Sequence, residues 1–341
     1  MAAPGTSPIS VSLDVPTGLG SGTTEMLLAA VLRASEGVSD LIFSPGRPPQ
    51  VEIHGQLIPV EVPRLSVLTA DHTRHIASDL IGNNKQAINT LREQGSCDVS
   101  YGIAGQARFR VNVFIQRGSC AIVMRVIPTV IPGLATLNLP PCLSEIADLP
   151  DGIVLVAGPV GSGKSSTLAA LTDLINQRHC FHIITVEDPI EFLHNHKRST
   201  IHQRELHSDA PSFPLALRAA LRQSPNVIVI GEIRDAETID LAFDAAETGH
   251  LVLASINTVD ITKTVARIVG AFSSHEQEMA RMRLAKSFRY MIAQKLISRP
   301  DGKGRVPAVE IATATPQTRA CIELGEHEGK RLADYVKSFH P

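Results

Sequence analysis

The run Gly158-Pro159-Val160-Gly161-Ser162-Gly163-Lys164-Ser165-Ser166 has the residue types and spacing of a phosphate-binding loop, G-x-x-x-x-G-K-[ST]. Glycines let successive backbone N–H groups turn inward around phosphate oxygens, and a helix beginning at the last residues adds its positive end. Lys164 would reach the β- and γ-phosphates, while the Ser165 hydroxyl would take a place on Mg2+. A glycine turn that merely joins a strand to a helix is the alternative. The apolar run Gly152–Ala157 before the loop and the helical pattern Thr167–Leu174 after it favour the phosphate loop.

Carboxylates at the ends of later strands decide what reaction such a loop serves. Asn226-Val-Ile-Val-Ile230 is followed by Gly231-Glu232-Ile233-Arg234-Asp235. Ligands of open α/β sheets lie at the carboxyl ends of the strands, so Glu232 is expected to face the metal and the γ-phosphate and to polarise the attacking water. A plain helix cap is the other reading of a carboxylate there. His182-Ile-Ile-Thr-Val186 runs into Glu187-Asp188-Pro189-Ile190-Glu191. Three carboxylates in five residues repel one another unless a cation or arginines offset them. Glu187 and Glu191 are therefore candidates for the metal's surroundings, with a solvated loop as the alternative.

The elements that must position these groups fall into two regions. Residues 1 to about 23 are rich in Pro, Gly, Ser and Thr and read as a flexible arm. Thr24–Arg33 reads as a helix, followed by strands at Asp40–Phe43, Gln50–His54 and Leu57–Val60. A helical stretch is expected from Thr69 to Glu93, then strands at Ala107–Phe114 and Ser119–Val126. Arginines alternate with apolar residues in these last two, so one face is buried and the other charged. Pro128–Pro150 is dense in proline and leucine and reads as a linker. From 151 onward strands alternate with helices, the pattern of a parallel sheet covered by helices. Its visible strands are Ile153–Ala157, His182–Val186, Asn226–Ile230 and Leu251–Ser255, and a long helix is expected over Ser274–Ser298 before a short helical tail.

Composition removes several classes. A chain of 341 residues with 43% hydrophobic and 19% charged residues suits about two globular domains. A net charge of −2, no tryptophan and 4% aromatics offer neither general attraction to nucleic acid nor stacking platforms for bases. Cys97, Cys120, Cys142, Cys180 and Cys321 are odd in number and scattered, which suits reduced thiols in the cytoplasm better than disulfides or zinc. No apolar run approaches the length of a membrane span and no signal peptide is recognisable, so membrane association is expected only through partners.

Four motifs in one order resemble the type II/type IV secretion ATPases, most closely their pilus-retraction branch. They are Gly158–Ser165, the acidic segment Thr185–Phe192, Val229–Asp235, and Gly249-His250-Leu-Val-Leu-Ala-Ser-Ile-Asn257-Thr258. The likeness runs over approximately Thr24–Ile322. It implies an α/β protein: a RecA-like P-loop ATPase domain at 151–341 joined to a smaller α+β PAS-like domain at 24–127. It also implies ATP and Mg2+ as cofactors, Glu232 as catalytic glutamate, His250 at the site, and a homo-hexameric ring. In such a ring Arg108, Arg110 and Arg125 would approach the γ-phosphate, and Arg204 or Arg222 would serve a neighbouring subunit. Simple surface pairing with carboxylates is the other reading of all five arginines. The implied partners are an inner-membrane pilus or secretion platform protein and a paralogous motor.

Two departures qualify the resemblance. Asn257 stands where the family carries a second histidine, and it cannot take up a proton. The segment Gln317–Ile322 keeps only the arginine and apolar neighbours of the retraction branch's Ala-Ile-Arg helix. Pilus retraction is therefore the first expectation, with an assembly ATPase of a secretion system, or a low-turnover ring subunit regulating a paralogue, behind it.

Overall fold

The computed structural model describes residues 8–11, 21–34, 36–63, 65–128, 130–299, 304–325 and 331–339. Most of the expected N-terminal arm lies outside them. The chain divides into two compact units, Met1–Thr129 and Val130–Pro341.

The first unit runs β1 (Ile9–Ser10), α1 (Ser21–Ala34), β2 (Val38–Phe43), β3 (Gln50–Ile53), β4 (Gln56–Glu61), α2 (Ala70–Ile81), α3 (Lys85–Gln94), β5 (Ser96–Ile103), β6 (Ala107–Gln116) and β7 (Ser119–Ile127). Its sheet has the order β1-β4-β3-β2-β7-β6-β5. The single helix expected over 69–93 is two, because Gly82 and Asn84 intervene: Gly82 takes φ +54°, and the Asn84 side chain accepts from Ala87 N to start α3. One face of the sheet buries Phe43, Phe109, Ile122 and Met124 against Leu27, Leu28 and Ile76. The alternation along β6 then sends Arg108 and Arg110 to the other face. Arg110 lies opposite Arg125 of β7, and Arg125 Nε bonds Asp40 Oδ1 at 3.0 Å.

The second unit opens with a 3-10 helix, Pro141–Asp148, and continues β8 (Gly152–Ala157), α4 (Lys164–Arg178), β9 (His182–Glu187), β10 (Thr200–Glu205), α5 (Phe213–Ala220), β11 (Val227–Ile230), α6 (Ala236–Glu247), β12 (Leu251–Ile256), α7 (Ile261–Val269), α8 (Gln277–Ser287), β13 (Phe288–Ser298), β14 (Arg305–Thr313), α9 (Pro316–Glu323) and β15 (Lys337–Phe339). Sheet order is β10-β9-β11-β12-β8-β13-β14-β15. The strands from β10 to β13 are parallel, and β14 and β15 are antiparallel additions. Every residue of β8, β11 and β12 is buried, as a parallel strand covered by helices on both faces requires.

Two readings of the sequence change here. The helix expected over 274–298 stops at Ser287, and Phe288–Ser298 is a strand between β8 and β14. Its residues from Met291 to Gln294 are all buried, and a run buried on both faces has no period that separates strand from helix. The stretch expected as a linker is partly built into the second unit: Leu139, Leu143, Ile146 and Ala147 join the core with Leu171 and Ile175 of α4. Leu143 is fully buried. Leu143→Ala should therefore cost roughly 2–5 kcal/mol and lower the melting temperature measurably, whereas a side chain in a solvated linker would change stability by under about 0.5 kcal/mol.

Candidate nucleotide site

The phosphate loop is shaped from below by the sheet. Gly161 and Gly163 adopt φ of +76° and +88°, a region that non-glycine residues adopt at a cost. A Cβ on Gly158 would collide with Ser162 Oγ and the Gln294 carbonyl, and one on Gly163 would meet Gln294 Nε2 at 2.8 Å. Gly163 is the N-cap of α4 and offers no side-chain cap, so the first N–H groups of the helix are left for an anion. Ser162 Oγ is buried without a hydrogen-bond partner. Pro159, Val160 and Gly161 form the exposed tip of the loop, and Ser165 and Ser166 are half-buried at the start of the helix.

Lys164 turns back onto this loop, its Nζ donating to the carbonyls of Gly158 at 2.9 Å and Pro159 at 3.0 Å. Burial lowers its pKa, while the fields of Glu232 and Glu191 raise it. Glu232 follows β11, and β12 lies between β11 and the loop strand β8. Because β12 runs in register with β8 from Leu251↔Gly152 to Ile256↔Ala157, the residue after it emerges beside the loop. That residue is Asn257, whose Nδ2 donates to Glu232 Oε1. The other carboxylate oxygen accepts from Arg234 Nε at 2.9 Å, and Arg234 Nη1 also bonds Asp188 Oδ2 at 3.0 Å. Ser255 Oγ donates to Gly231 O at 2.5 Å, which holds the turn before Glu232 to β12.

Glu187 closes the third strand end. Its Oε1 accepts from Thr185 Oγ1 at 2.6 Å and from Gln203 Nε2 at 3.0 Å. Burial pushes its pKa up, and these hydrogen bonds oppose the rise. Glu191 is exposed, and its field acts on both Glu187 and Lys164. Among the described residues no cluster of three His, Cys, Asp or Glu side chains forms a metal cage. The available donors are hydroxyl and carboxylate oxygens, which suit a hard cation that completes its shell with phosphates and water.

His250 does not join this group. It precedes β12 at the opposite end of the strand, six residues or ~20 Å before Ile256 at ~3.3 Å each, and its Nδ1 faces Ala245 O at 2.9 Å. Motif membership placed it at the site, but strand direction sends Asn257 there instead. Arg108, Arg110 and Arg125 share the exposed face of the first unit's sheet. Arg204 bonds Asp209 O at 3.0 Å and Arg222 bonds Arg218 O at 2.8 Å, so both brace loops and helices of their own unit. The sequence reading missed Gln203, which also bonds Phe192 O and His194 N, and Gln294. Neither belongs to a recognisable motif.

A sheet with one strand inserted between the loop strand and the carboxylate strand is the RecA-like arrangement, and the class of protein it defines is the P-loop ATPase. Residues 66–336 match the family described as Type II/IV secretion system protein. The chain is 42% identical to the type IV pilus retraction ATPase PilT of Pseudomonas aeruginosa, over 88% of this chain and 84% of that one. It is 38% identical to the type IV pilus ATPase PilU of the same organism, over 88% and 78%. The crystal structure of the pilus retraction motor PilT with bound ADP is similar at a TM-score of 0.79 and 40% identity, covering 90% of this chain and 87% of that one. The chain therefore belongs to the type II/IV secretion ATPases, is PilT-like, and is a nucleotide-binding ATPase.

The loop after β9 gives this site a pH dependence of stability. Desolvation lowers the pKa of His194 from 6.5 to about 4, with Asp173 raising it and Lys197 lowering it further. A histidine kept neutral by folding contributes stability that is complete above its unfolded pKa and is lost as pH falls toward the folded one. Paired melting scans of wild type and His194→Gln should thus differ by a constant amount above pH ~7. Between about pH 6.5 and 4 the wild type should lose ground to the variant, by at most about 3–4 kcal/mol.

Proposed function

We propose that this chain is a Mg-dependent ATPase motor that works as a homo-hexameric ring and powers type IV pilus retraction. The observation that carries the reading is the shared edge of three parallel strands, where the loop of Lys164, the amide of Asn257 and the carboxylate of Glu232 meet. Loop N–H groups and the uncapped start of α4 bind the phosphates, and Lys164 exchanges its carbonyl partners for phosphoryl oxygens. Ser165, with Glu187 and Glu232, would hold Mg2+, which neutralises charge on the phosphates when bound. Glu232 orients the attacking water and accepts its proton. Arg108, Arg110 and Arg125 would supply positive charge to a γ-phosphate in the assembled ring. His250 takes no part in this chemistry.

Likeness to PilT supports retraction as the task, and likeness to PilU supports a paralogous motor as a partner. A platform protein at the inner membrane would receive the motion, and membrane contact would come through it alone. Among the described residues no helix is long and apolar enough to cross a membrane. A second reading is a ring subunit that binds ATP with little turnover. It is favoured by Asn257 and Arg234, which between them occupy both oxygens of Glu232.

Steady-state hydrolysis and native mass, measured together in Mg-ATP, separate these readings. A motor requires a hexamer whose turnover falls by at least ~10²-fold in Glu232→Gln. A monomer in Mg-ATP would overturn the ring. A hexamer that hydrolyses ATP no faster than Glu232→Gln would be the low-turnover subunit.

A further inference from the structure

We infer that Gln294 is the positioning residue of the phosphate loop and that its carboxamide sets which way the Ser162–Gly163 peptide faces. The inference rests on the assignment of 158–165 as the nucleotide's phosphate site. Gln294 lies on β13, the strand beside the loop strand, and is 4% exposed. Its Nε2 donates to Ser162 O at 2.7 Å, and its Oε1 accepts from Thr167 Oγ1 at 2.7 Å. Both ends of one amide are thus committed, one to the loop and one to the first turn of α4. The four residues between those anchors begin with Gly163, Lys164 and Ser165, the groups expected to touch phosphate and metal.

Peptide geometry turns this brace into an orientation. In a trans peptide the C=O and the following N–H point in opposite directions. Holding the Ser162 carbonyl toward β13 therefore directs the Gly163 N–H away from the strand, where it is available to an anion. Were the peptide to turn over, a carbonyl oxygen would replace that donor and repel phosphate. Gly163 can occupy φ +88° and also leaves room for the amide, since a Cβ there would press on Gln294 Nε2 at 2.8 Å. A side chain with both a donor and an acceptor at this reach is required, which glutamine supplies and glutamate or methionine does not.

The test measures ADP binding by wild type, Gln294→Met, Gln294→Glu, Thr167→Val and Lys164→Ala. It adds the phosphorus NMR resonance of the bound β-phosphate, and KM and kcat for ATP. Gln294→Met should weaken ADP at least about tenfold, a loss near 1.4 kcal/mol, and shift the β-phosphate resonance. KM should rise more than kcat falls, and the melting temperature without nucleotide should stay within a few degrees of wild type. Gln294→Glu, which sets a carboxylate against the Ser162 carbonyl, should weaken ADP further. Thr167→Val keeps the bond to Ser162 and should cost less than Gln294→Met. Wild-type affinity and an unmoved resonance in Gln294→Met would overturn the inference. If that variant does not fold, wild-type affinity with an unmoved resonance in both Gln294→Glu and Thr167→Val overturns it equally. A Lys164→Ala protein that binds ADP as the wild type does would sink the site assignment itself, and the role of Gln294 with it.

Discussion

Three adjacent parallel strands that deliver their C-terminal ends to one edge are the constraint on which the rest of this unit depends. β8, β12 and β11 are locked by backbone pairing from Gly152 to Ala157, Leu251 to Ile256 and Val227 to Ile230. Each residue in them is buried, and a one-residue shift would exchange the side chains packed into the two covering cores. The loop, Asn257 and Glu232 are thereby brought to one edge without any of them having to choose its place. Side chains then settle only orientation, which is the smaller part of the ordering entropy. The two covering cores, one built on Phe243 and Phe288 and the other on Leu171 and Ile175, hold that edge through ordinary apolar burial.

The polar groups at the edge are arranged to avoid stranding charge. Glu232 has an amide on one oxygen and a guanidinium on the other, and the same guanidinium reaches Asp188. Lys164 is satisfied by two loop carbonyls. Each of these partners is a hydrogen bond that an incoming phosphate or water can replace without leaving the donor or acceptor bare, which would otherwise cost about 1–3 kcal/mol per group. Asn257 differs from a histidine here in one respect that matters. Its amide can give Glu232 a donor at any pH, but it cannot carry a positive charge into the site. Within this unit, Lys164 and Arg234 place positive charge near Glu232.

The parts of this molecule legible in the sequence are those that short-range chemistry dictates. The loop between a buried strand and a helix, and a carboxylate at the end of an apolar strand, are visible because glycine, lysine and glutamate have few other reasons to occur there together. Alternation marked the arginine face of β6 for the same local reason. Direction and neighbourhood were not legible. His250 and Asn257 belong to one motif, yet six residues of extended chain separate them to opposite ends of a strand. The segment 288–298 hid its strand because continuous burial erases the period, and with it hid Gln294, whose importance lies entirely in being next to β8. Residues 139–147 read as linker because proline breaks every short pattern, although four of their apolar side chains are core.

The exposed face of the first unit shows what kind of cost this chain accepts. Arg110 and Arg125 face one another across β6 and β7, and like charges directly opposed on a sheet are destabilising. Asp40 relieves one of them, since its 10%-exposed carboxylate holds the 71%-exposed Arg125. Solvent screening keeps the penalty small at an exposed site, on the order of the 0–1 kcal/mol of a surface pair. A hydrophobic core on the other face covers it many times over. With Glu52 and Asp98 in register on the same face, Arg108, Arg110 and Arg125 stand among three carboxylates, and the opposed pair is tolerated as part of a mixed-charge surface.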